Sequence, residues 1–384
     1  MVLRDVHILN NGVADIVTTG SEITGIVEGG GYAPGNNDIV IQTGNSLAFP
    51  GIINSHDHLE FNLFPQLRSE IYKSYMYWGE DIHSKNKEVI QAVLKVPVSL
   101  RAQWGMYKNL LCGITSVVQH GEKQVIENSP VTIFNQCHSL HSVRLEKNWK
   151  LKLNHPFASP HPFVIHTGEG TDRQSFEEIN ELIRWNLLGR QFVGVHGVAM
   201  SVQQAAAFKA LVWCPESNFF LLGATAEINK LKASTKILFG TDSTLSAGWN
   251  IWQHLRNARK TTMLTDEEIL AAVFYTAATM WGLNNTGAIK QGYYADIVVA
   301  EKKGEDGYYA FFGCNPENIL LVLAKGKIVL FDALLQPQLN SIDIENYSRV
   351  FIHGRCKYVA GNLPALIREI KKYSPGIDFP VDIE

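Results

Sequence analysis

Basic residues do not dominate this 384-residue chain: 34 Lys and Arg face 37 Asp and Glu, the formal net charge is -3, and no basic run breaks the balance. That removes the electrostatic case for nucleic acid or for an anionic membrane surface. Long apolar runs are also lacking. The longest are strand-sized, well short of a membrane span. The opening MVLRDVHILNNG carries Arg4 and Asp5 and no long apolar core, so it does not read as a signal peptide. Cysteine is sparse and scattered at Cys112, Cys137, Cys214, Cys314 and Cys356, with no C-x-x-C pair. Reduced thiols in a cytoplasmic protein are the expectation. What remains is 46% hydrophobic and 18% charged, an ordinary soluble profile. It suffices for one large barrel with a small appended domain.

Two grammars alternate along the chain. Residues 1–49 are β-rich runs punctuated by Gly and Asn-Gly, and the same pattern returns in QGYYADIVVAE, NILLVLAKGKIVLF and SRVFIHGRCKYVAGN, where AKGKIV and HGRCKYV read as hairpins. Segments 1–49 and 286–362 are therefore expected to pair into one small β-sandwich. A C-terminal helix and tail follow over 363–384. Between 50 and 285, short apolar runs alternate with helical patterns, as in a parallel barrel whose strands are buried on both faces. Thr265 and Glu268 form a capping box at the head of one helix. Seven strands are identifiable: GIINSH, ITSVVQH, VTIFNQ, FVIH, FVGVH, LVWCP and KILFGTD. An eighth is expected within 137–160, with KLKLN one place for it.

The chemistry-bearing residues sit at strand ends. In PGIINSHDHLEF, strand periodicity turns His56 and His58 to one face and Asp57 away. His166 ends FVIH, His196 ends FVGVH and Asp242 follows KILFGT. In a parallel barrel those ends converge on one face, where active sites are built. Any one such histidine is ordinary. Their convergence suits zinc or a similar divalent ion.

The series PGIINSHDH, VIHTGEG, VGVHGV, PESN and FGTDS, with ADIVV near the C-terminal end, resembles the metal-dependent amidohydrolase superfamily in its deaminase/chlorohydrolase-like branch. The resemblance spans nearly the whole chain. It implies a distorted (β/α)8 TIM-type barrel with a β-sandwich from both termini. It also implies one divalent metal ion, Zn2+ by default with Fe2+ or Mn2+ suited to the same donors. His56, His58, His166 and Asp242 would ligate it, His196 would stand beside it, and Glu169 would shuttle protons. Two-metal members use a carboxylated lysine; none stands at an obvious strand end, and Lys147 and Lys150 lie in the unassigned stretch.

The chemistry that follows is hydrolytic attack by a metal-activated water on an sp2 carbon bonded to nitrogen, with deamination of an N-heterocycle as the leading expectation. Hydrolysis of a cyclic amide, or of a ring C–halogen or C–S bond, would use the same residues. A catalytically retired binding protein is the reading from another class. His120, ending ITSVVQH, either faces the site or caps its strand. Trp78 and Glu80 line a pocket or pack on the rim. Ser217 and Asn218 stand near the active site or make a turn. His138, His141, His155 and His161 read as surface or loop histidines, and Cys214 as a core thiol. A small-molecule substrate is expected, with a homodimer as the commonest assembly of such chains.

Overall fold

In the computed structural model, which describes residues 1–123, 125–304 and 307–384, eight parallel strands follow in order through the middle of the chain. They are β1 (Ile52–Asp57), β2 (Ile114–Gln119), β3 (Thr132–Phe134), β4 (His138–Ser142), β5 (Phe163–Thr167), β6 (Phe192–His196), β7 (Ala210–Trp213) and β8 (Lys236–Phe239). The first three form one sheet and the last five another. Every residue of β1, β2, β5, β6 and β7 is buried, which is why these strands read as continuous apolar runs.

The chain after β8 returns to β1. The backbone N–H groups of Thr241 and Asp242 both donate to the His56 carbonyl at 3.1 Å, and Asp57 and Asp242 form a parallel bridge. The first and last strand ends thus meet, and the residues that follow them share a site.

The eighth strand lies within 137–160 as expected, but over 138–142; the KLKLN stretch overlaps a short helix, Trp149–Leu153. Its sequence, HSLHS, lacks the apolar run that marks the others. His138 and His141 are accordingly strand residues rather than loop residues, and the His138 ring stacks on Phe163 at 4.5 Å. Only Asn135, Gln136 and Cys137 separate β3 from β4. A crossover between neighbouring parallel strands takes a dozen or more residues. β4 therefore continues the course of β3 and changes partner, from β2 to β5. No helix fits in that link, and β3 and β4 stay partly exposed.

The β-rich ends meet in one ten-stranded, largely antiparallel sheet. Ser46–Pro50 pairs antiparallel with Ile297–Glu301, joining the two halves. Side chains alternate across this junction: Ala48, Ile297 and Val299 join one apolar cluster, while Leu47, Phe49, Val298 and Ala300 join the main core. Both expected hairpins turn in two residues. Lys325–Gly326 and His353–Gly354 all have positive φ, as tight hairpin turns require. The helix Leu363–Tyr373 is capped by Asn362 and buries Leu363, Leu366, Ile367 and Ile370. The capping box at Thr265 and Glu268 is present.

Candidate metal centre

His56 in β1 and His58 just after it are both presented to the barrel mouth. His166, near the end of β5, and Asp242, after β8, reach the same point, so one ligand atom from each of the four residues lies within 4.8 Å of the others. His58 Nε2 is 3.2 Å from His166 Nε2, and His166 Nε2 is 3.3 Å from His56 Nε2. Asp242 Oδ1 is 3.6 Å from Nε2 of both His56 and His58. Ligands about 2.0–2.1 Å from a tetrahedral zinc ion would be about 3.4 Å apart, so this donor set fits a divalent ion.

The surroundings prepare each ligand. His166 Nδ1 donates to the His141 carbonyl at 2.8 Å, leaving Nε2 unprotonated toward the cluster. Burial lowers the His56 pKa to about 4 and holds His166 well below the usual histidine range, so both imidazoles are neutral. Burial disfavours the Asp242 carboxylate, yet hydrogen bonding to His56 and the neighbouring His196 and His58 outweigh it and hold this acid well below the ordinary range. Asp242 Oδ2 also accepts from Ser217 Oγ and Ser246 Oγ, both at 2.7 Å. Asp242 and His196 adopt positive φ, 59° and 71°, a costly conformation for non-glycine residues that concentrates at functional sites.

Beside the cluster, His196 Nε2 lies 3.6 Å from Glu169 Oε2. Burial, then the nearby Asp242 and Glu178, push the Glu169 carboxyl well above its usual pKa, favouring its protonated form. His196 Nδ1 donates to Asn218 Oδ1 at 2.8 Å, and Asn218 Nδ2 donates to Thr225 Oγ1 at 3.1 Å. Burial keeps His196 neutral, so its Nε2 is an acceptor facing the site.

His120 stands on the other side of His166. Its ring centroid is 4.4 Å from that of His166 and 5.1 and 5.2 Å from those of His56 and His58. It is 2% exposed and neither ring nitrogen has a protein partner. Trp78 is half-buried and donates Nε1 to the Leu67 carbonyl at 2.8 Å, and Glu80 is exposed on the same helix. Lys147 is exposed and Lys150 pairs with Glu181 at 2.7 Å, so neither approaches the cluster. Cys214 is buried, its thiol pushed well above the usual range by burial.

Sequence reasoning missed the polar shell behind the ligands. Asp57 turns from the ion site into a buried network with Lys108, Asn54, Asn62, Asn109 and Thr241. Glu178 grips the turn that carries Glu169. The available signal was faint: a lysine and an asparagine amid the apolar residues of a helix.

Comparison with known proteins agrees with this arrangement. The Amidohydrolase family matches residues 161–329. The 5-methylthioadenosine/S-adenosylhomocysteine deaminase of Pyrococcus furiosus is 25% identical over 328 residues, 68% of this chain and 76% of that protein. Its counterpart in Caldicellulosiruptor saccharolyticus is 22% identical over 359 residues, 77% and 83%. Among solved structures, an adenosine deaminase from Xanthomonas campestris with bound zinc has a TM-score of 0.70 at 14% identity, covering 98% of each chain. Atrazine chlorohydrolase from Arthrobacter aurescens with zinc has 0.60 at 15%, covering 85% of this chain and 94% of that one. The fold and ligand set define a metal-dependent hydrolase. These likenesses support the resemblance to the amidohydrolase superfamily, in its deaminase/chlorohydrolase-like branch.

Proposed function

We propose that this protein deaminates an N-heterocycle, with an aminopurine nucleoside as the first candidate substrate. The observation that carries this reading is the buried Glu169, 3.6 Å from His196 and beside the ligand quartet, its pKa raised by burial and by the nearby Asp242 and Glu178. A departing amine needs a proton, and a carboxyl with a raised pKa can supply one at neutral pH. The relatives named as 5-methylthioadenosine/S-adenosylhomocysteine deaminases support the purine choice.

His56, His58, His166 and Asp242 would hold a divalent ion, whose chemistry when bound would be to lower the pKa of water from about 15.7 toward 7. The chain's residues do the rest. Ionised Asp242 takes a proton from the attacking water. Neutral His196, its Nδ1 committed to Asn218, orients that water through Nε2. Glu169 donates its proton to the nitrogen side of the substrate. A C–O bond forms, the proton on Asp242 passes to the amine, the C–N bond breaks and ammonia leaves, and the hydroxyl proton of the product returns to Glu169. His120, with two unpartnered nitrogens in a dry wall, is assigned a hydrogen bond to the substrate, since an unmet buried polar group costs about 1–3 kcal/mol. Asn218 acts by fixing the His196 ring, and Trp78 shapes the rim.

The test is ammonia release by zinc-loaded protein. The panel comprises adenosine, 5-methylthioadenosine and S-adenosylhomocysteine beside pterins, pyrimidines and triazines. Release from a purine nucleoside that is lost in Glu169→Gln supports the proposal. Chloride release from a halotriazine, or ring opening without ammonia, would select the other hydrolytic reading. Full zinc occupancy with no turnover of any compound would favour a binding role.

A further inference from the structure

The residue between the two β1 histidines faces away from the ion, and what it meets there is unusual. Asp57 is fully buried, and Lys108, on the helix Val98–Leu111, is 1% exposed. Their ion pair is 2.8 Å long. Asp57 Oδ2 also accepts from Asn54 Nδ2 at 3.0 Å, Asn109 Nδ2 at 2.9 Å and Thr241 Oγ1 at 3.2 Å, while Oδ1 accepts from Asn62 Nδ2 at 2.7 Å. Lys108 Nζ further donates to Asn62 Oδ1 at 3.1 Å and Thr241 Oγ1 at 3.3 Å. Asn54 Oδ1 accepts from the Thr241 backbone N–H at 3.1 Å.

Two members of the network are adjacent to ligands. Asp57 lies between His56 and His58 in the chain, and Thr241 immediately precedes Asp242. The network therefore fastens the first strand end to the turn after the last, where two histidines and the aspartate must converge. A buried ion pair gains little net stability, because desolvation offsets its attraction. Its value here is geometric. Outer groups that orient ligands commonly govern affinity for the ion.

We propose that Lys108 and Asp57 are positioning residues that set the affinity of the metal centre. The proposal rests on the ligand quartet holding a divalent ion. A purely electrostatic role makes the opposite forecast: deleting the lysine charge should tighten cation binding by leaving Asp57 uncompensated.

The experiment measures zinc affinity of the full chain, stripped of metal, by competition with a chromophoric chelator, together with thermal unfolding of the stripped protein. Lys108→Met is expected to weaken zinc binding about 10- to 100-fold. Thr241→Val keeps the ion pair and deletes only the hydroxyl link, so it carries the test if Lys108→Met does not fold; weakening of about tenfold is expected. Unchanged zinc affinity in a folded variant, with or without a lower melting temperature, would make the network merely structural and overturn the proposal. Tighter zinc binding by Lys108→Met would overturn it in favour of charge alone. A wild-type chain that binds no zinc at the quartet would instead sink the metal reading, and this proposal with it.

Discussion

Glu178 Oε1 accepts a hydrogen bond from the Gly168 backbone N–H at 2.8 Å, while its other oxygen meets Arg144 Nε at 3.1 Å. Gly168 has φ +59°, and a methyl group there would come 2.7 Å from Ile179 Cδ1, so the turn leading to Glu169 admits little but glycine. Glu178 thereby holds the acid-bearing turn and contributes to the raised Glu169 pKa.

Glu178→Gln removes that neighbouring carboxyl. Glu169 would then lose its proton at lower pH, and the alkaline limb of the pH–rate profile is expected to move toward acid. An unmoved or upward-moving limb, followed with any turned-over substrate, would show that Glu178 does not tune Glu169.

The same profile has a defined sign at each end. On the proposed mechanism, turnover needs Asp242 ionised and Glu169 protonated. Asp242 lies well below the ordinary carboxylate range and Glu169 well above it, so activity should plateau through mildly acidic and neutral pH and fall as Glu169 ionises. Glu169→Gln should retain stoichiometric metal by elemental analysis and lose about 10²–10⁴-fold in kcat.

Burial raises Glu178 itself to about 7, against the opposing pull of Gly168 and Arg144. A carboxyl that binds its proton more tightly folded than unfolded lowers stability as pH rises. The loss begins above the unfolded value of about 4.3 and is complete once pH exceeds about 7. Its full size is of order 3 kcal/mol. Stripped Glu178→Gln should therefore show a flatter melting temperature between pH 5 and about 7.5 than the parent chain.

Gly105 sits in the helix Val98–Leu111, where a methyl group would overlap the Leu59 carbonyl. Alanine ordinarily favours a helix interior over glycine by about 1 kcal/mol. Here the sign should reverse. Gly105→Ala is expected to cost about 1–3 kcal/mol as the helix is pushed off the chain that follows His58, measurable by denaturant unfolding. A stabilised variant would mean the helix yields without strain.

How much was visible in advance depended on how each residue's environment is written into the chain. His56, His58, His166 and Asp242 stand at the ends of buried apolar strands, where a polar side chain is conspicuous. Their convergence follows from barrel geometry. Lys108 gave no such contrast, because its partner Asp57 lies 51 residues away and helical sequence tolerates lysine anywhere. Glu178 is likewise one of several acids on an amphipathic helix, Arg173–Arg184, and only the fold shows that it faces inward. The strand His138–Ser142 was hidden because His138, Ser139 and His141 are not buried, so they need not be apolar.

That uncovered strand has a wider consequence. The side chains that hold the ion project from β1, β5 and the turn after β8, none of them on the bare flank between Phe134 and His138. A lineage could splice a helical crossover into that flank, or delete one, while every donor atom kept its station. The strand beyond that flank is less free, because the His141 carbonyl still fixes the His166 ring.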